Sequence, residues 1–288
     1  MSRLRQTIGA MRRKWSAWRS PPLPASGYAP ADFSTPRLAA LSDVDLDRLN
    51  SILPWQCFTT DDAGRRFGHR AWKGKREEPQ PIPDRRIELL HTRYDLSDKS
   101  VLEIGCFEGV HTAALCARAA RVMAVDSRVE NVIKTLVRCH YYGHAPDVRQ
   151  CNVESSNELA SLGDVDIVHH VGVLYHLVDP VAHLHSLAAL TRVGMMLDTH
   201  VARPAEATSK YELGGRHYAY RKLEESGVSD AFSGMYDHAK WLTCDAMVSL
   251  LRELGFASVN VHEERDERNG LRILLFAQRT VTAANASA

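Results

Sequence analysis

Val101-Leu102-Glu103-Ile104-Gly105-Cys106-Phe107-Glu108-Gly109 reads as a strand that runs into a glycine-bearing turn, with helical apolar spacing beginning at Val110. Glycine at 105 permits a tight turn and close approach of the backbone to a ligand, and Gly109 relieves crowding where the helix starts. A second strand, Arg121–Asp126, ends in an acid twenty-one residues after Gly105. That is close to the spacing of about 20 residues at which a carboxylate meets a ribose diol in dinucleotide folds, where it accepts hydrogen bonds from both hydroxyls.

Outward from this unit, short apolar runs alternate with helical patterns, the signature of a parallel sheet built from repeated strand-helix units. Strands are expected at Ser100–Gly105, Arg121–Asp126, Val148–Val153, Asp166–Val173 and Gly194–His200. Helices are expected at Val110–Ala119, Val129–Tyr142, Pro180–Thr191 and Thr243–Leu254, the last with a threonine cap and a closing Gly255. Two final strands, Ser258–Glu263 and Arg272–Gln278, flank Asn269-Gly270 and predict a hairpin. Residues 201–242 break the alternation, are rich in Tyr, His and Gly, and suit a lid or substrate insertion at the sheet edge where ligands bind.

Three nucleotide-type readings compete for the glycine turn. A dinucleotide fingerprint wants glycines at 105, 107 and 110, but 107 and 110 are Phe and Val. A phosphate-binding loop ends in Gly-Lys-Ser/Thr, whereas this turn continues Gly109-Val110-His111. What remains is a nucleoside-bearing ligand without a phosphate. Here the acid-x-Gly-x-x-x-Gly pattern, Glu103 to Gly109, resembles that of the class I S-adenosylmethionine (SAM)-dependent methyltransferases, and the likeness extends over roughly residues 100–280.

The resemblance implies an α/β, Rossmann-like doubly wound sheet of seven strands, mostly parallel with an antiparallel last strand, plus an N-terminal helical cap and the lid insertion. It also implies SAM as cofactor. Gly105 and the Cys106-Phe107 backbone would line its methionine part, with Gly109 closing the turn. Glu103 would act on the amino end through water, Asp126 would hold the ribose, and the Val171 backbone would face the methionine end. Cys151-Asn152-Val153 falls where the family often has an acid for the adenine amine; the Asn152 side-chain oxygen accepts that hydrogen bond without charge. Gly172-Val173-Leu174-Tyr175-His176 and Gly214–Tyr220 are similar to the tRNA wobble-uridine carboxymethyl-transferring subgroup, a likeness of layout and not of substrate. A carboxylated donor would need an added cation; Arg70, Lys73 and Lys75 in the cap could supply one, but they read by default as solvated charges.

Methyl transfer is an in-line displacement, so alignment comes first and a base matters only if the acceptor must lose a proton. A histidine, with an unperturbed pKa of about 6.5, suits hydroxyl or amine acceptors. His176, His200 and His238 are the candidate bases, and Tyr175, beside His176, is the other candidate catalytic residue; Tyr218, Tyr236 and Trp241 complete an aromatic wall able to contact a cation. His169 reads as a core residue. No metal is expected: His183 and His185 point to different helix faces, and no HExxH set accompanies them.

The 288 residues are 44% hydrophobic and 25% charged, ordinary globular values that exclude disordered, collagenous and disulfide-scaffold classes. Residues 1–31 hold six basic residues and no acid, leaving the other 257 at −5 against a chain total of +1. Domain expectations are a basic arm and linker at 1–37, a cap at 38–99, the methyltransferase domain at 100–280 and a flexible tail at 281–288. Six cysteines without a CxxC pair fit a reducing cytoplasm, and no apolar run reaches the roughly 18–20 residues of a membrane span. The functional expectation is methyl transfer to an O or N acceptor on a small molecule or glycan precursor. The alternatives are an RNA (tRNA)-modifying methyltransferase using the basic arm, and a non-catalytic scaffold on the same fold.

Overall fold

A computed structural model describes residues 38–68 and 77–280, all within one unit spanning 35–288. The basic arm and linker, the C-terminal tail, and Arg70, Lys73 and Lys75 lie outside the described residues.

Among the described residues, a short 3₁₀ turn at Leu38–Ala40 is followed by helix α1 (Asp43–Ile52), whose Ser42 cap accepts from the Asp45 amide, and by a hairpin of β1 (Phe58–Thr60) and β2 (Arg66–Gly68). Leu38, Leu46, Leu49, Trp55 and Phe67 form their own buried cluster here. The cap read from sequence as helical therefore also carries a hairpin. Helix α2 (Arg85–Tyr94), capped by Asp84, follows.

The repeating portion runs β3 (Ser100–Ile104), α3 (Val110–Cys116), β4 (Arg121–Asp126), α4 (Val129–Tyr141), β5 (Asp147–Gln150), α5 (Ser156–Ala160), β6 (Val165–Val171), α6 (Pro180–Leu190) and β7 (Thr191–His200). Next come the insertion strands β8 (Ser209–Leu213), β9 (Arg216–Glu224) and β10 (His238–Leu242), then α7 (Cys244–Glu253), β11 (Ser258–Glu267) and β12 (Gly270–Gln278). Seven strands form one sheet in the order β11-β12-β7-β6-β3-β4-β5, with β12 antiparallel to both of its neighbours and the pairs from β7 to β5 parallel. This is the doubly wound sheet with a reversed last strand.

The central strands β3, β4, β6 and β7 are buried on both faces, which is why they read as largely apolar runs, whereas the edge strands β5 and β11 are partly exposed. Leu102, Ile104, Val125, Val168, Leu197 and Leu275 pack with α6 and α7. Val101, Val122, Ile167, Met196 and Leu274 pack with Ile87, Leu90 and Tyr94 of α2. Several bounds differ from expectation. β5 stops at Gln150 rather than Val153, because the Asn152 amide donates to Glu158 Oε2 at 2.7 Å and turns the chain toward α5. α3 ends at Cys116, and Thr191 opens β7 instead of closing α6. The insertion folds as its own antiparallel sheet, β10-β9-β8.

Candidate active site

The turn after β3 folds back over the end of β4. The Gly105 and Cys106 amides both donate to the Val125 carbonyl, at 2.9 and 3.0 Å, with Gly105 in the left-handed region at φ 73°. Phe107 also has positive φ, 51°, and its amide donates to Asp126 Oδ2 at 3.0 Å. Asp126 Oδ1 accepts from the Arg128 amide (2.9 Å) and Asn131 Nδ2 (3.1 Å). Burial raises this carboxyl above its ordinary pKa, and the same hydrogen bonds oppose the rise. Three of about four lone-pair directions are used, so acceptor capacity remains for one more donor.

Beneath the turn, burial pushes Glu103 up to about 8, against the bond that its Oε2 accepts from Thr112 Oγ1 at 2.5 Å. The buried Cys106 thiol, also driven up by burial, accepts from Thr135 Oγ1 at 3.3 Å. Gly109 is required by packing: a Cβ there would lie 2.9 Å from Thr135 Cα on α4. Asn152 Oδ1 accepts from the Glu154 amide at 3.1 Å while its Nδ2 faces the Tyr236 hydroxyl at 3.4 Å. Val153 is buried, and Val171 pairs with Asp198 across β6 and β7.

Val173 links this turn to the histidine cluster: a Cβ on Gly105 would meet Val173 Cγ2 at 2.3 Å. The Tyr175 ring lies 4.2 Å from His176 and 4.8 Å from His200, and Trp241 stacks on His200 at 4.9 Å with 8° between planes. Trp241 Nε1 donates to the Tyr175 carbonyl at 2.8 Å, tying the insertion to this edge. His176 Nδ1 is 2.7 Å from Glu225 Oε1. His200 Nδ1 donates to the Leu271 carbonyl at 3.3 Å, and burial, then Arg272, hold the ring below the usual histidine range. Burial raises the Tyr175 phenol. His238 stands apart, paired with its exposed neighbour Asp237 at 2.7 Å and sharing no hydrogen bond or ring contact with the cluster. Tyr218 packs on Tyr211, also outside it.

The segment between β9 and β10 lies across both groups. Arg128 Nη2 donates to the carbonyls of Gly227, Asp230 and Gly234 at 3.1, 2.8 and 3.3 Å, and Phe232 sits 5.5 Å from the Phe107 ring.

A family profile described as a methyltransferase domain matches residues 74–261. The chain belongs to that family. The sheet order is therefore that of a class I SAM-dependent methyltransferase. Among curated relatives, the ubiquinone biosynthesis O-methyltransferase of Cereibacter sphaeroides is 24% identical over 161 residues, 56% of this chain and 61% of that one. Its Thiobacillus denitrificans counterpart is 25% identical over 195 residues, 66% of this chain and 78% of that one. The methyltransferase thus spans less than two thirds of the first relative. Among solved structures, the N-terminal domain of EvdMO1 with S-adenosylhomocysteine (SAH) bound superposes with a TM-score of 0.68 at 22% identity, covering 83% of this chain and 95% of that one. Magnesium protoporphyrin IX methyltransferase of Synechocystis PCC 6803 with bound SAM gives 0.51 at 18%, covering 84% and 99%. At these identities the likeness is one of fold.

The residues present fit SAM. No side chain is tolerated at position 105, so backbone is presented there, and Asp126 keeps a free acceptor direction. The methyltransferase also holds features that no sequence spacing announces. Buried Asp198 gathers Arg272, Arg265 (3.1 Å) and Arg86 (3.7 Å), which places three cations from distant segments at the strand ends. Glu103, His111 and His169 bring one ligand-type atom each within 4.8 Å of one another. Arg86 Nη2, however, lies 3.2 Å from His111 Nε2, a permanent cation that opposes a metal ion at that point. His170 pairs with His183 at 2.9 Å inside the core. All six cysteines are free, and no helix among the described residues is long and apolar enough to cross a membrane.

Proposed function

We propose that this methyltransferase transfers the methyl group of SAM to an oxygen or nitrogen of a small molecule or glycan precursor, in a cytoplasmic setting that suits its free cysteines. The observation that carries the reading is the contact of Val173 with Gly105, which sets the Tyr175, His176 and His200 cluster directly beside the donor turn. Gly105, Cys106, Phe107 and Val171 would hold the methionine part, Glu103 its amino end, Asp126 the ribose, and Asn152 with Val153 the adenine.

SAM, when bound, supplies an electrophilic methyl on a positively charged sulfur. The chain's own part is to align the acceptor and take its proton. His176 and His200 would be the imidazoles that accept that proton, beside the rings of Tyr175 and Trp241, which could face a cation. His238, paired outward with Asp237, is the weakest of the three candidate bases. The names of the curated relatives favour oxygen over nitrogen as the acceptor atom.

The test is SAH release on incubation with SAM and a panel of phenols, sugar hydroxyls and amines. The expected result is turnover on hydroxyl acceptors, reduced about 10²-fold in His176→Asn. Turnover on amines alone, or an undiminished rate in that variant, overturns the corresponding part. A second reading, RNA modification with the basic arm as an electrostatic handle, is favoured by the six basic residues in the acid-free stretch 1–31. It predicts salt-dependent tRNA retention that is lost when residues 1–20 are deleted.

A further inference from the structure

We infer that Glu225 is the positioning residue that makes His176, rather than His200, the proton acceptor. The inference rests on the reading of His176 as a base and deepens it. Glu225 opens the segment after β9, forty-nine residues from His176 in sequence, yet its Oε1 lies 2.7 Å from His176 Nδ1. Its other oxygen accepts from Ser233 Oγ and from the Gly234 amide at 3.2 Å. Burial works against ionisation of this carboxyl, but the bonds from His176, Ser233 and Gly234 outweigh it and hold Glu225 below the usual glutamate range.

An ionised carboxylate only accepts, so Nδ1 must carry the hydrogen. That fixes the neutral tautomer with its lone pair on Nε2, which has no hydrogen-bond partner among the described residues. His200 has the same Nδ1–H orientation, but toward the uncharged Leu271 carbonyl, and Arg272 disfavours its protonated form. A carboxylate stabilises the imidazolium that forms when a proton is taken; a carbonyl beside an arginine does so far less. The two imidazoles flank the same tyrosine, and Glu225 breaks the tie between them.

The arrangement also depends on the 225–234 segment being in place. A Cβ on Gly234 would lie 2.4 Å from the His176 carbonyl oxygen, so this strap runs directly over the histidine backbone, and Arg128 holds it there by three carbonyls. Charged groups near the pair include Glu225 itself, Arg272 across the Tyr175 ring at 5.5 Å with Asp198 paired to it, and Arg128, which reaches the strap at the Gly234 carbonyl.

Glu225→Gln is the informative variant. Ser233 and Gly234 would claim the amide oxygen, which turns the NH₂ group toward His176 and forces Nδ1 to accept; the hydrogen then moves to Nε2 and the base is lost. Nitrogen-15 NMR of the histidines in the full chain should show His176 as the Nδ1–H tautomer in the wild type and Nε2–H in Glu225→Gln. With a hydroxyl acceptor, kcat should fall about 10²-fold while acceptor KM and SAH affinity stay within about threefold, and Glu225→Asp should recover part of the loss. An unchanged tautomer, or an unchanged kcat in the folded Gln variant, overturns the inference. Failure of the underlying reading looks different: His176→Asn would keep full kcat even though the tautomer switch is observed.

Discussion

Glu108 Oε1 and Lys134 Nζ lie 2.8 Å apart, both side chains buried, at the junction of the turn after β3, α4 and the segment before β1. Glu108 also accepts from the Gln56 amide at 2.7 Å and the Cys57 amide at 3.0 Å, while Arg138 donates to its carbonyl at 2.6 Å between the rings of Trp55 and Phe67. One residue of the turn thus anchors the N-terminal segment to the sheet edge.

Removing one member of such a pair strands a charge in the interior, at a cost of about 3–5 kcal/mol. Lys134→Met should therefore lower Tm by roughly 10 °C, and the double variant Lys134→Met/Glu108→Gln should lose less than the sum of the two single changes. A drop under about 2 °C in the first variant contradicts the anchoring role.

The unit from β3 to β4 was legible because each of its steps is local: an apolar run, glycines four residues apart, and an acid closing the next strand. The central parallel strands β3, β4 and β6 were legible because burial on both faces leaves little polar alternation. Gly109 was legible as a glycine whose cause is crowding, but the neighbour, Thr135, comes from the next helix. The insertion strands were not legible, since β8 and β9 lie on the surface with charges throughout and their pairing comes from tertiary contact. Glu225 and the arginines around Asp198 carry no signal in spacing, because their partners lie tens of residues away.

Glu103 ties stability to pH. Its carboxyl moves from the ordinary value near 4.5 to about 8 on folding, chiefly through burial, so the folded chain keeps a proton that the unfolded chain has lost between those values. The stabilisation from this group is complete below about 4.5 and disappears as pH rises through 8. Glu103→Gln, which still offers Thr112 an acceptor, should gain Tm relative to wild type between pH 5.5 and 8.5 when measured without ligand. A pH-independent difference would rule this out.

Arg128 should govern the strap. Arg128→Ala removes three carbonyl contacts, so amide exchange across residues 227–236 should accelerate at least tenfold while β3 and β4 stay protected. Exchange at wild-type rates would show that Arg128 does not hold the segment in place.

The central claim is that the turn at Gly105 and the acid at Asp126 form the SAM site, and calorimetry of SAM and SAH on the wild-type chain and Asp126→Ala tests it most directly. The account predicts micromolar binding of both ligands to the wild type, weakened at least tenfold in the folded variant. Absence of heat from the folded wild-type chain at several temperatures, or equal affinity in Asp126→Ala, would contradict it.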